Sequence, residues 1–203
     1  MKRIFIAINL PEEIKAAMQN LQKETGNLFL EEMDLEEEAN RGVIKWVKKE
    51  NLHLTLVFIG KTEQDKIFEI PNIIENIVKN QNSFSLQTKN ISYGPDKKIP
   101  PRLVWVELEK NNQLLNIVDN LKKELLDAQI LKREEQRSFS PHITLGRIKA
   151  WSWKKINPEE RPEINKTLSF KFKINSIDIM ESIMKRTGAK YNILSSVQLI
   201  TNT

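Results

Sequence analysis

His53 and His142 are the only histidines in this 203-residue chain, and each opens the same pattern: His53-Leu54-Thr55-Leu56 and His142-Ile143-Thr144-Leu145. Along an extended strand, alternate side chains leave opposite faces. His53 and Thr55 therefore share one face, with Val57 and Ile59 expected to continue it, while Leu52, Leu54, Leu56 and Phe58 read as a core face. The second segment repeats this, with His142 and Thr144 together and Ile143 and Leu145 behind them. If two such strands face each other, two imidazoles and two hydroxyls surround one cavity.

That set of groups suits the cleavage of a phosphodiester. One proton must leave the nucleophile and another must reach the departing oxygen, and two histidines can divide those transfers near neutral pH. Threonine hydroxyls can donate to the non-bridging phosphate oxygens. Arg147 follows Thr144 by three residues, and its planar guanidinium matches phosphate in a bidentate way. An isolated strand histidine is more often structural than catalytic. Here the whole unit recurs and uses every histidine. Two histidines with no cysteine and no carboxylate at ligand spacing make a poor zinc site, so no metal is expected.

Strands and helices must carry these residues. Lys2–Asn9 reads as a strand. A helix is expected from Pro11 to about Glu24, carried by Ile14, Ala17, Met18 and Leu21 and ended by Gly26. Glu31–Glu38 holds six acids in eight positions and reads as a solvated loop or short surface helix. Strands follow at 43–47 and 52–59. A helix over 63–79 contains Pro71, which either kinks it or marks its true start. Strands at 84–91 and 103–108, a helix at 113–128, the second-motif strand, an alternating strand around Phe170–Ile174 and a closing hairpin (177–181 with 191–199) complete the order. The loops at 95–101 and 132–137 are basic or mixed in charge and read as exposed turns. Trp46 and Trp105 read as core. Trp151 and Trp153 could stack on unpaired bases, although packing is the commoner use.

With no cysteine, the chain has no disulfide or thiol chemistry, which fits a reducing cytoplasm. No run of apolar residues is long enough to span a membrane. A net charge of +5 favours an anionic ligand, RNA included.

At its motifs and their flanks the chain resembles the two-histidine phosphoesterase superfamily, and within it the RNA 2′,3′-cyclic phosphodiesterase family, also described as 2′–5′ RNA ligase-like. The resemblance is carried by Arg3–Ile8 with Leu10-Pro11, by Trp46-Val47 leading to Glu50–Leu56 and Phe58-Ile59-Gly60, and by Pro101–Val106. It continues through Phe139–Arg147, Ser182–Met184 and Gly188–Tyr191. Two departures are a longer, more acidic stretch at 28–42 and Ala189 where a proline is usual.

The resemblance implies an α+β, bilobal, duplicated fold, with two antiparallel sheets flanking a central cleft and helices on the outer faces. Residues 1–203 would form a single domain of two pseudo-symmetric lobes. It also implies hydrolysis of an RNA 2′,3′-cyclic phosphate to a 2′-phosphate without metal or cofactor, and in some relatives the reverse 2′–5′ ligation. By this resemblance His53 protonates the departing 3′ oxygen and His142 activates water, with Thr55, Thr144 and Arg147 holding the phosphate. The expected partner is an RNA end bearing the cyclic phosphate, tRNA fragments among the candidates, met by a monomer in the cytoplasm and not at a membrane. The alternatives are another cyclic or 2′–5′ nucleotide as substrate, or a non-catalytic RNA-end-binding protein.

Overall fold

The computed structural model describes residues 1–31, 42–95, 99–132, 138–186 and 188–200. Nearly all of the acidic stretch, and the centres of the 95–101 and 132–137 loops, lie outside the described residues.

Among the described residues, ten strands form one antiparallel path: β1 (Lys2–Asn9), β2 (Ile44–Trp46), β3 (His53–Thr62), β4 (Phe84–Gly94), β5 (Leu103–Leu108), β6 (His142–Ile148), β7 (Asn165–Thr167), β8 (Lys171–Ile174), β9 (Ser176–Lys185) and β10 (Gly188–Gln198). The main order is β10-β9-β1-β3-β6-β5-β4-β7, with β2 also on β6 and β8 on β4. The expected α+β class and antiparallel pairing are therefore present. In place of two separate sheets, the path is continuous, and it narrows at the centre to the single pair Leu54–Ile143 between β3 and β6.

Helices α1 (Glu12–Glu31), α2 (Gln64–Val78) and α3 (Asn112–Asp127) pack on one face of this sheet, and a short α4 (Ala150–Trp153) follows β6. Their apolar stripes form one core with the strand residues Ile4, Ile6, Ile8, Leu54, Val104, Val106 and Ile143. In α3, Leu114, Ile117, Val118, Leu121 and Leu125 are buried as their spacing predicts. Asn111 caps this helix by accepting from Leu114 N at 2.9 Å.

One helix expectation needs correction, and the structure decides between the two readings of Pro71. Helix α1 does not stop at Gly26 but runs to Glu31. The extra turn buries Phe29 completely, edge-on to Trp153 at a centroid distance of 6.3 Å. Burying a phenyl ring is worth roughly 1.5–3 kcal/mol, which exceeds the cost of about 1 kcal/mol for a glycine inside a helix. Pro71 lies inside α2 and is not its start; Ile67, Ile70, Ile74 and Val78 are buried on both sides of it.

Candidate active site

Both motif strands show the same burial sequence over their first seven residues: part-buried, buried, part-buried, buried, buried, exposed, part-buried. Both also slip register at the same place. Between β1 and β3, Ala7 pairs with Thr55 but Ile6 pairs with Val57, which leaves Leu56 extra. Between β5 and β6, Trp105 pairs with Thr144 but Val104 pairs with Gly146, which leaves Leu145 extra. Each is a bulge three residues after the histidine, and a bulge reverses the alternation beyond it.

This overturns part of the face assignment. Val57 goes to the core, while Phe58, expected in the core, is 66% exposed on the motif side. The same reversal brings Arg147 round to the side of His142 and Thr144, from which strict alternation would exclude it. The bulge carbonyl Leu145 O accepts from Val47 N at 2.8 Å and from the buried Gln22 Nε2 at 2.9 Å.

At the centre, the Leu54–Ile143 pairing makes the motifs run past each other. By that register His53 lies alongside Thr144 and Thr55 alongside His142. All four part-buried side chains sit on the face opposite the helix-covered core.

Each ring is held in the same way. His53 Nδ1 donates to Asn51 O at 2.7 Å, and His142 Nδ1 donates to Ser140 O at 2.8 Å. A carbonyl can only accept, so Nδ1 carries hydrogen and Nε2 is the atom left to exchange a proton with a ligand. The rings differ at Nε2. That of His53 lies 2.8 Å from Thr55 Oγ1, whereas Thr144 makes no matching bond among the described residues.

The surroundings also differ. His53 sits in an apolar cage, with Phe5 at 5.0 Å and Tyr191 edge-on at 5.1 Å. Asn51 ties this cage to the closing hairpin: its Nδ2 donates to Ala189 O at 2.8 Å and its Oδ1 accepts from Tyr191 N at 3.3 Å. His142 packs against Trp105, with the ring centroids 4.5 Å apart and the planes tilted by 43°. The Trp105 indole donates to Ser92 Oγ at 3.0 Å, and Ser92 Oγ donates to Glu107 Oε1 at 3.4 Å. Glu107 also lines two surface grooves. One extends past Ser140 and Pro141, and the other past Asn90, Ser92 and Thr167.

Burial pushes both imidazoles below their ordinary value, and the backbone bond to Nδ1 partly opposes it. Positive charge on His142, Arg147 and Lys15 disfavours the imidazolium of His53 further, whereas the Glu107 carboxylate favours that of His142.

The structure thus brings together all five residues expected at the site: His53, Thr55, His142, Thr144 and Arg147. Reading the sequence missed Asn51, Tyr191, Glu107 and Lys15, and it took Trp105 for plain core. Trp105 is buried, but its ring faces His142. The alternation of Leu103, Trp105 and Glu107 against Val104, Val106 and Leu108 was the available signal. Trp153 is buried, as packing predicts, and Trp151 is 62% exposed beneath the Lys155 ammonium. Among the described residues, no cluster of three or more His, Asp or Glu side chains could hold a metal, and no helix is long and apolar enough to cross a membrane.

Known proteins resemble this chain along most of its length. A Thermotoga maritima protein described as an RNA 2′,3′-cyclic phosphodiesterase is 32% identical over 200 residues, covering 97% of this chain and 95% of its own length. A Methanocaldococcus jannaschii protein of the same description is 28% identical, covering 95% and 98%. In fold, the chain matches a Thermus thermophilus crystal structure with a TM-score of 0.76 at 23% identity, over 97% of each chain. It matches Escherichia coli LigT complexed with 3′-AMP with a TM-score of 0.72 at 21% identity, over 98% of each chain. The model of the family described as the AKAP7 2′5′ RNA ligase-like domain matches residues 4–199, and the chain belongs to that family.

Proposed function

We propose that the chain is a metal-independent RNA 2′,3′-cyclic phosphodiesterase that opens a terminal cyclic phosphate to a 2′-phosphate, with reverse 2′–5′ ligation as a second capacity. The observation that carries this reading is the crossing of the two motif strands at Leu54–Ile143, which gives one face two imidazoles with Nδ1 already tied to a carbonyl. In hydrolysis one histidine takes a proton from water as its oxygen bonds to phosphorus. The other gives a proton to the 3′ oxygen as the P–O3′ bond breaks. Thr55, Thr144 and Arg147 hold the non-bridging oxygens, where charge builds up in the transition state. The names of the Thermotoga and Methanocaldococcus relatives support the RNA cyclic phosphate as substrate.

We read residues 1–203 as one domain of two pseudo-symmetric lobes. It acts as a monomer in the cytoplasm on RNA ends, tRNA fragments among them. The test is turnover of a nucleoside 2′,3′-cyclic phosphate in EDTA, with the product identified by phosphorus NMR. A 2′-phosphate that disappears in His53→Ala and in His142→Ala is expected. A 3′-phosphate product, a rate restored only by divalent metal, or near-normal turnover in either variant would overturn the reading. Tight binding of a cyclic-ended RNA with no turnover would point to the non-catalytic alternative.

A further inference from the structure

The two histidines occupy matching places on matching strands, yet the residues paired with them differ. Asn9 stands directly opposite His53, and Glu107 stands directly opposite His142. Directly paired residues in an antiparallel ladder project to the same face, so among the described residues His142 has a carboxylate directly opposite it and His53 does not; on the His53 side, Asp178 of β9 pairs with Ala7 and accepts from Asn9 N at 3.3 Å. The carboxylate is held there by the chain from the Trp105 indole through Ser92 Oγ to Glu107 Oε1, and the indole ring itself packs, tilted, against His142. On the other side, His53 is enclosed by Phe5 and Tyr191, and the positive charges of Arg147 from β6 and, more weakly, of Lys15 from α1, which is only 5% exposed, disfavour its imidazolium. Lys15 has its carboxylate partner, Glu12, on the solvent side at 3.1 Å. Among the described residues, Glu107 from β5 is the carboxylate opposite His142, and Arg147 lies further along β6 on the same side.

We infer that Glu107 is a positioning residue that breaks the symmetry of the pair, so that a single proton shared by the pair rests on His142 and not on His53. This inference rests on the acid–base pair proposed above and deepens it. In hydrolysis with the roles implied by the resemblance, water gives its proton to His142 and the 3′ oxygen takes one from His53. The product state then carries its proton on His142, the singly protonated form favoured here. Hydrolysis therefore starts from the less favoured of the two singly protonated forms, and the reverse reaction starts from the favoured one.

The chain's two histidines make the test direct, because proton NMR should show two imidazole Cε1–H signals, assigned by His53→Gln and His142→Gln. The titration midpoint of His142 is expected above that of His53. In Glu107→Gln, whose side-chain carbonyl can still accept from Ser92, the His142 midpoint should fall by roughly half a pH unit or more, less than the shift from a contacting charge, while His53 moves little. Glu107→Asp should keep the original order, and Asn9→Asp should raise the His53 midpoint. A wild-type His53 midpoint at or above that of His142, or an unmoved His142 in Glu107→Gln, overturns the inference. The titration needs no substrate. A protein silent in the hydrolysis assay would sink the proposed function and leave this inference standing, whereas the wrong order of midpoints in an active protein would do the reverse.

Discussion

The strands that carry the two motifs are built alike and decorated differently. β3 and β6 share a burial sequence and a bulge, so the residue five places after each histidine emerges on the motif face. In β3 that residue is Phe58, and in β6 it is Arg147. Opposite the threonines stand Ala7 in one half and Trp105 in the other; opposite the histidines stand Asn9 and Glu107. The His53 half therefore presents an apolar wall of Phe5, Phe58 and Tyr191, and the His142 half presents charge. A cyclic nucleotide end has the same division, with a flat apolar base and an anionic phosphate. Duplication supplies two proton-transfer groups in register, and the divergence of their neighbours gives the cleft a direction.

The largest expected effects should not respect that difference. Both proton transfers are needed in one reaction, so His53→Ala and His142→Ala should each cost about 10²–10⁴-fold in kcat. A hundredfold disparity between the two would show that one half does most of the chemistry alone.

The next effects should separate the halves. Arg147→Ala removes charged hydrogen bonds to phosphate, worth about 1.5–3 kcal/mol, so kcat/KM should fall roughly ten- to a hundredfold on any cyclic phosphate. Phe58→Ala should cost less, about fivefold for a stacking contact near 1 kcal/mol, and only when the substrate carries a base. Ribose 2′,3′-cyclic phosphate is the discriminating substrate. An equal loss from Phe58→Ala on this base-free compound would remove the apolar wall from base binding.

A difference in packing comes next. Val57 and Gly146 occupy the same place after their bulges, and both are buried. At Gly146, β2 lies alongside, and a Cβ would meet Ile44 Cγ2 at 2.5 Å and Trp46 Cε3 at 2.9 Å. Gly146→Ala should therefore destabilise by about 1–3 kcal/mol through overpacking, read as a lower urea midpoint with an unchanged m-value. No loss would mean that the Trp46 side moves aside freely.

Much of this was legible in the order of residues. Strand periodicity put each histidine with its threonine, and helical spacing found the buried stripe of α3. The sequence did not show what depends on the partner strand. A bulge exists only relative to its neighbour's register, so the exposure of Phe58 and the placement of Arg147 could not be read from β3 or β6 alone. Asn51 looked like an ordinary residue before the motif because its two hairpin partners, Ala189 and Tyr191, lie far along the chain. Glu107 was visible on the polar side of a short strand, but nothing local to it named His142 as its opposite. Gly26 failed as a helix end because the stop signal is weak beside a buried phenylalanine one turn later.

The smallest predicted effect tests the comparison through stability. Both imidazoles titrate below the ordinary histidine value in the folded protein, mainly because burial penalises the charged ring. In the unfolded chain they protonate near the ordinary value of about 6.5. Below that pH the unfolded state binds more protons than the folded one, so stability is full above about pH 6.5 and is lost as pH falls towards the folded midpoints. The two rings should not contribute equally. Positive neighbours add to the penalty of protonating His53, whereas Glu107 relieves that of His142. Urea unfolding at pH 7.5 and at pH 5.5 should therefore show a loss on acidification that His53→Gln reduces more than His142→Gln does. The opposite ranking would mean that Glu107 does not outweigh the difference in burial, and that the two halves are less unlike than their side chains suggest.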